Sequence, residues 1–162
     1  MAYEVGTVTR NYLGDYLAAV SETPTYYLMG LGVVQVDEQL NPKMDKTPFV
    51  NNINVSGTVT SYERTFPFDV QLRTGEGATM LIEDIVRNSR IGSAAELYYV
   101  RADLYVTPTT GDEYPARRFK VAVEVTSIEG AGTEIVHIKG NFHQVGDPTA
   151  GTLDPTGTIT FA

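Results

Sequence analysis

The sequence predicts a mainly β fold of the sandwich or barrel-like kind, with one α-helix packed against a face or edge of the sheet. Three observations carry that prediction. Val, Thr, Tyr, Ile and Phe recur with a period of two between turn clusters, the signature of half-buried strands. Only residues 75–92, "GEGATMLIEDIVRNSRIG", show helical periodicity. The chain of 162 residues suits one domain with a real core.

Residues 25–36, "TYYLMGLGVVQV", read as one long strand in which Gly30 and Gly32 mark a bulge or a close backbone approach. Residues 37–52, "DEQLNPKMDKTPFVNN", are polar and proline-punctuated. They read as a long inter-strand loop, a feature that is usually functional or disordered. In residues 52–72, Val55 and Val59 alternate with Asn54, Ser56, Thr58 and Thr60, so one face is expected in the core and one in water. Pro67 cannot donate to a ladder and is expected to split that run or place it at an edge.

The helical stripe is Ala78, Leu81, Ile82, Ile85 and Val86, with Glu76, Glu83 and Asp84 early or outward, Arg87 and Arg90 late, and Gly92 as the stop. In residues 97–106, Tyr98, Val100, Ala102, Leu104 and Val106 form the predicted core face, opposite Arg101 and Asp103. Phe119, Val121, Val123 and Val125 are the predicted inward set of the next strand, against Arg118, Lys120 and Glu124 outside. The glycines at 130 and 132 then predict a tight hairpin into a strand over residues 134–145. The end of the chain, "GDPTAGTLDPTGTITF" over residues 146–161, is turn chemistry followed by one short strand, "TITF". That strand is expected to complete a neighbour's sheet edge.

Composition and motif spacing exclude several function classes. Without cysteine there is no disulfide, thiolate nucleophile or Cys-ligated zinc. Twenty acids against 12 bases leave a net charge of −8, which disfavours a surface that grips nucleic-acid phosphates. No apolar run approaches the roughly 20 residues that span a bilayer, and the N-terminal residues lack a signal-peptide pattern, so a cytoplasmic origin is expected. His137 and His143 would stand about 20 Å apart on one strand, too far to share a metal ion. "GEGATM" has Met80 where the dinucleotide fingerprint needs its third glycine. Ser56 lacks a nucleophile-elbow context, and Asp112–Glu113 and Glu83–Asp84 are solvated neighbours. The Arg117, Arg118, Lys120 patch reads as a salt-bridged surface or a subunit contact, and Asp147 and Asp154 miss the calcium-loop spacing. No enzyme, cofactor or metal is expected.

The ending from Ile135 to Phe161, the single helix, the long loop after the first long strand and the acidic balance resemble the major tail tube proteins of long-tailed bacteriophages, related to the type VI secretion tube. The resemblance implies a two-sheet β-sandwich with a flanking helix, whose subunits form hexameric rings that stack around a channel for DNA. It implies three assembly segments: an N-terminal arm over residues 1–15 with Tyr3 and Tyr12; the loop over residues 37–52 with Asn41, Pro42, Lys43, Met44 and Phe49; and a C-terminal arm over residues 146–162 with Asp147, Pro148, Leu153, Ile159 and Phe161. It also implies an electronegative lumen that does not retain DNA. Candidate lumen residues are Asn54, Ser56, Thr58 and Thr60, or Glu124 with Lys120, His137 and Lys139. The implied partners are further copies of the chain, tail terminator, tape measure and tail-tip proteins, and passing genomic DNA; the location is the virion tail after assembly in the bacterial cytoplasm. The competing readings are a virion decoration or tail-tip sandwich, or a soluble ligand-binding barrel lined by the tyrosine-rich strands.

Overall fold

The computed structural model describes residues 13–106, 108, 111–154 and 157–161, and it is mainly β with one helix. In chain order these residues form β1 (Leu13–Ala19), β2 (Tyr27–Leu28), β3 (Val33–Val36), β4 (Pro42–Thr47), β5 (Ser56–Tyr62), β6 (Thr65–Gln71), α1 (Gly77–Arg87), β7 (Glu96–Asp103), β8 (Tyr114–Glu129), β9 (His137–Gln144), β10 (Thr149–Leu153) and β11 (Ile159–Phe161). A 3-10 turn over Gly92–Ala95 leads into β7.

β8 organises the molecule. One of its edges pairs with β7 from Ala116 to Ala122, while the other pairs first with β10, from Tyr114 to Arg118, and then with β9, from Val121 to Glu129. β9 and β10 therefore lie end to end along one edge of β8. The break between them falls at residues 145–148, where Gly146 adopts φ 73°. It divides a single antiparallel sheet of nine strands into two halves, β2-β1-β7-β8-β10-β11 and β3-β6-β9-β8. The sandwich is thus one curled sheet sharing β8, with β4 and β5 as a separate two-stranded sheet.

The main core lies inside the curl. Phe66 sits 4.8 Å from Tyr99 and 4.9 Å from Phe119 between ring centroids, and Phe68 stacks on Phe142 at 4.5 Å. Aromatic pairs of this kind add about 0.5–1.5 kcal/mol each beyond the area they bury. α1 covers this core with Ala78, Ile82 and Ile85 buried and Leu81 packed alongside, four residues of the predicted stripe, while Val86 is only half-buried. Thr79 is buried too, its hydroxyl donating to the Glu76 carbonyl at 3.0 Å. The helix stops at Arg87, before the predicted Gly92, because Asn88 turns its side chain back onto the Asp84 carbonyl (3.0 Å) and Ser89 adopts φ 47°.

The Phe119, Val121, Val123, Val125 face points inward as predicted. β7 departs from the simple alternation because both of its faces are buried. Tyr98 is half-buried, and Val100, Ala102 and Leu104 meet a second cluster with Ala116 and Leu153, while the opposite face carries Leu97 and the fully buried Tyr99 into the main core. Arg101 on that face is buried, and Val106 lies past the strand and is exposed.

Five further expectations are corrected. Residues 25–36 form two short strands: β2 pairs with β1 and β3 with β6, and Gly32, at φ 86°, turns the chain between opposite halves of the sheet. Residues 37–52 are not structureless, since β4 pairs along β5. The run over 52–72 breaks at Glu63 and Arg64; Pro67 sits within β6, its carbonyl accepting from Asp37 N–H (3.0 Å) just past the end of β3. The β8–β9 connection spans residues 130–136 and is not a tight turn.

The fifth correction concerns the arms. Residues 146–162 were expected to reach a neighbour, but β10 pairs with the subunit's own β8, and β11 with β10. Leu153 is buried in the second cluster, with Ile159 and Phe161 packed against it. Asp154 shapes the turn between them: its carboxylate accepts from Thr158 N–H at 2.9 Å. Of the proposed N-terminal arm, residues 13–15 belong to β1, paired with β7; Tyr3 and Tyr12 lie outside the described residues.

Candidate assembly interface

β4 and β5 pair from Pro42 with Tyr62 to Thr47 with Ser56, with a register shift between Lys43 and Met44. Every residue of both strands is exposed. Local contacts hold the pair: Lys43 Nζ lies 3.2 Å from Glu63, and the Thr60 hydroxyl donates to the Lys43 carbonyl at 3.2 Å. The connection at the tip displays Phe49, Val50, Ile53 and Val55, with Val50 and Ile53 as open to solvent as in an extended peptide, at 109% and 103%. Val55 and Val59, expected in the core, are exposed. A two-stranded ribbon is marginal alone in water, and an apolar patch on a projecting element marks an interaction surface.

The stem of this hairpin is tightly tied. Gln39 and Thr65 exchange backbone hydrogen bonds of 2.8 and 3.0 Å. Asn41, in the left-handed region at φ 44°, donates its side-chain amide to the Glu63 carbonyl and the Thr65 hydroxyl, both at 3.1 Å.

The structure thus gathers Asn41, Pro42, Lys43, Met44 and Phe49 on one exposed hairpin. Asn54, Ser56, Thr58 and Thr60, named as lumen candidates, lie on the same element. Asp147 and Pro148 are exposed in the break between β9 and β10. Leu153, Ile159 and Phe161 separate from the set, because they pack inside their own subunit. Sequence reasoning missed Val50 and Ile53, whose one signal was apolar side chains flanked by asparagines in a polar stretch.

Glu124 belongs to another surface, the outer face of β6, β9 and the far half of β8. It pairs with His143; Asp69 pairs with His137 at 2.8 Å, Glu129 with Lys139 at 2.9 Å, and on β7 and β8 Glu96 pairs with Lys120 at 2.8 Å. The lysines and histidines of this face therefore sit beside carboxylates. Lys139, by hydrogen bond and charge, holds the Glu129 carboxyl below its ordinary value, and the Ser127 hydroxyl adds to the effect. A carboxyl depressed in this way contributes stability above its unfolded value and loses it as pH falls through the folded one. Lys139→Ala is expected to raise the Glu129 midpoint in a carbon-13 carboxyl titration; an unchanged midpoint would show that the pair does not persist in solution.

A groove of about 460 Å³ lies between the end of α1 and β8, lined by Ile85, Val86, Val123, Val125 and Ile128 together with the polar Ser89, Arg90, Thr126 and Ser127. Among the described residues no group of three or more His, Asp or Glu side chains is placed to hold a metal ion, and no helix is long and apolar enough to cross a membrane.

No family model and no curated protein matches the chain. Solved structures do. The SPP1 tail tube superposes with a TM-score of 0.65 over 93% of this chain and 82% of that one, at 10% identity. The tail of an empty GTA particle, a structure with C6 symmetry, superposes with a TM-score of 0.59 over 96% of this chain and 99% of that one, at 7% identity. At such identities the likeness speaks for the fold alone, which this chain shares with the SPP1 tail-tube and GTA-tail structures.

Proposed function

We propose that the chain is the non-enzymatic structural subunit of a phage tail tube, in which copies form hexameric rings and the rings stack around a channel for DNA. The observation that carries this reading is the β4–β5 hairpin, whose apolar tip is uncovered among the described residues, on a fold shared with tail-tube structures. Such a hairpin gains its burial from another copy. A heterologous contact of this kind, repeated by one rotation and one rise, generates rings and then a stack. The net charge of −8 fits a wall that DNA passes without being held. The Asn54, Ser56, Thr58, Thr60 set and Glu124 remain the lumen candidates. In this reading the tube sits in the virion tail after assembly in the host cytoplasm, and terminator, tape measure and tail-tip proteins meet it at its ends and in its channel.

The test joins microscopy to substitution. Concentrated wild-type protein is expected to show uniform rings or tubes with an open channel by negative-stain electron microscopy. Val50→Asp with Ile53→Asp is expected to leave the melting temperature unchanged, since neither side chain touches the core, and to abolish the tubes. Burial of each side chain is worth about 1.5–3 kcal/mol, so the critical concentration should rise by about a hundred-fold or more. A wild-type chain that stays monomeric at every concentration sinks the proposal.

A further inference from the structure

Among the described residues β4 and β5 pair only with each other, so the direction in which the hairpin projects is set at its stem. Directly beneath that stem lies a cluster of charge. Glu38 is on the outgoing side of the stem and Arg64 on the returning side, with Arg64 Nε 3.2 Å from Glu38 Oε1. From β8, Arg117 grips the same carboxylate with both terminal nitrogens, Nη1 to Oε1 at 3.1 Å and Nη2 to Oε2 at 3.2 Å. From β7, Arg101 brings Nη1 within 3.7 Å of Oε2. The arginines are backed in turn by acids of the body, Arg101 by Asp15 at 4.0 Å and Arg117 by Asp103 at 3.8 Å. Three guanidinium groups thus converge on one carboxylate whose side chain is 16% exposed.

Stability alone does not explain this arrangement. Burying paired charges costs desolvation that their attraction barely offsets. Here Arg101 Nη1 and Arg117 Nε are buried without a hydrogen-bond partner, a further cost. What the cluster does supply is direction. A bidentate arginine–carboxylate fork resists rotation in a way that a single point contact does not. The ring of Phe119, fully buried in the main core, lies 5.4 Å from the Arg117 guanidinium and 6.0 Å from that of Arg64, while Arg64 also sits 5.3 Å from Tyr62 at the end of β5. The stem is thereby tied to the packed main core of the body.

We propose that Glu38 is a positioning residue: held by Arg101 and Arg117 of the body and by Arg64 of the stem, it fixes the angle at which the β4–β5 hairpin leaves the subunit. The purpose of that angle rests on the tube reading; the angle itself does not. The chain has no cysteine, so Ser56→Cys at the far end of the hairpin and Ser93→Cys on the body accept spin labels uniquely. In dilute full-length protein a single narrow distance distribution is expected. Glu38→Gln is expected to broaden it roughly two-fold once the fork is lost, while cooperative thermal unfolding persists. Arg64→Gln, which leaves the body arginines on Glu38, is expected to broaden it as well, and it decides the matter if Glu38→Gln fails to fold. Unchanged width in a folded variant overturns the proposal. The measurement needs no polymer, so broadening in a chain that never forms tubes refutes the tube reading alone, and tubes with unchanged width refute the clamp alone.

Discussion

Truncating the chain after Val145 is expected to abolish cooperative folding. The deleted residues carry β10 and β11, which cover the second core cluster from one side. Without them Val100, Ala102 and Ala116, all buried in the intact chain, lose the cover of Leu153, Ile159 and Phe161, and the first five residues of β8 lose a ladder partner along one edge. A single-residue version calibrates the effect. Leu153, 5% exposed, when cut to alanine should cost about 2–5 kcal/mol. The truncation removes that contact and several more from a domain whose whole stability is on the order of 5–15 kcal/mol. Thermal unfolding followed by circular dichroism checks both variants. A truncated chain that melts cooperatively near the wild-type temperature would return the tail to the role of a free arm.

Gly140→Ala is expected to be the most damaging one-carbon change in the sheet. Gly140 lies opposite the irregularity between Val125 and Ser127, where β8 carries an extra residue against β9. A Cβ there would stand 2.0 Å from the Glu124 carbonyl oxygen and 2.9 Å from the Val125 Cα. Both obstacles are backbone, so no rotamer change relieves them. The strands would have to part at the junction where β6, β9 and β8 meet, next to Phe142 and Ile138 of the main core. Overpacking typically costs about 1–3 kcal/mol, and with rigid obstacles on a central strand the loss should reach the top of that range or exceed it. Chemical denaturation gives the number; a midpoint within error of wild type would mean that the bulge can migrate along β8.

Much of this architecture was legible in the residues, and the exceptions have a common cause. Alternation reports a strand with one wet and one dry face, so β8 and its inward Phe119, Val121 and Val123 were read correctly; helical spacing gave most of the α1 stripe but included Val86 and omitted the buried Thr79. It is silent on a strand dry on both faces. Tyr99, which sits between the residues assigned inward, was therefore missed although it is fully buried. It is equally silent on a strand wet on both faces: β4, "PKMDKT", has no amphipathic pattern, and only its pairing with β5 makes it a strand. The tail failed for a different reason. Gly146 and Pro148 mark a break in the chain but not its direction, and the path beyond follows the unoccupied edge of β8 next to the end of β9. For the candidate interface, the segment over residues 37–52 was identified from its want of a core role, which is what an exposed hairpin shares with a loop. The Glu38 cluster was invisible because its members come from five distant points of the chain.

The continuity of β8 through both halves has a mechanical meaning. Two separate sheets stacked face to face can slide, resisted only by side-chain packing. Here a single strand of 16 residues runs through both, roped to β7 along one side and to β10 and β9 in succession along the other. A force that drags one half lengthwise past the other must travel along that backbone and load many ladder hydrogen bonds at once, in shear. The subunit is built as one spliced beam, stiffest along the strand that its two halves share.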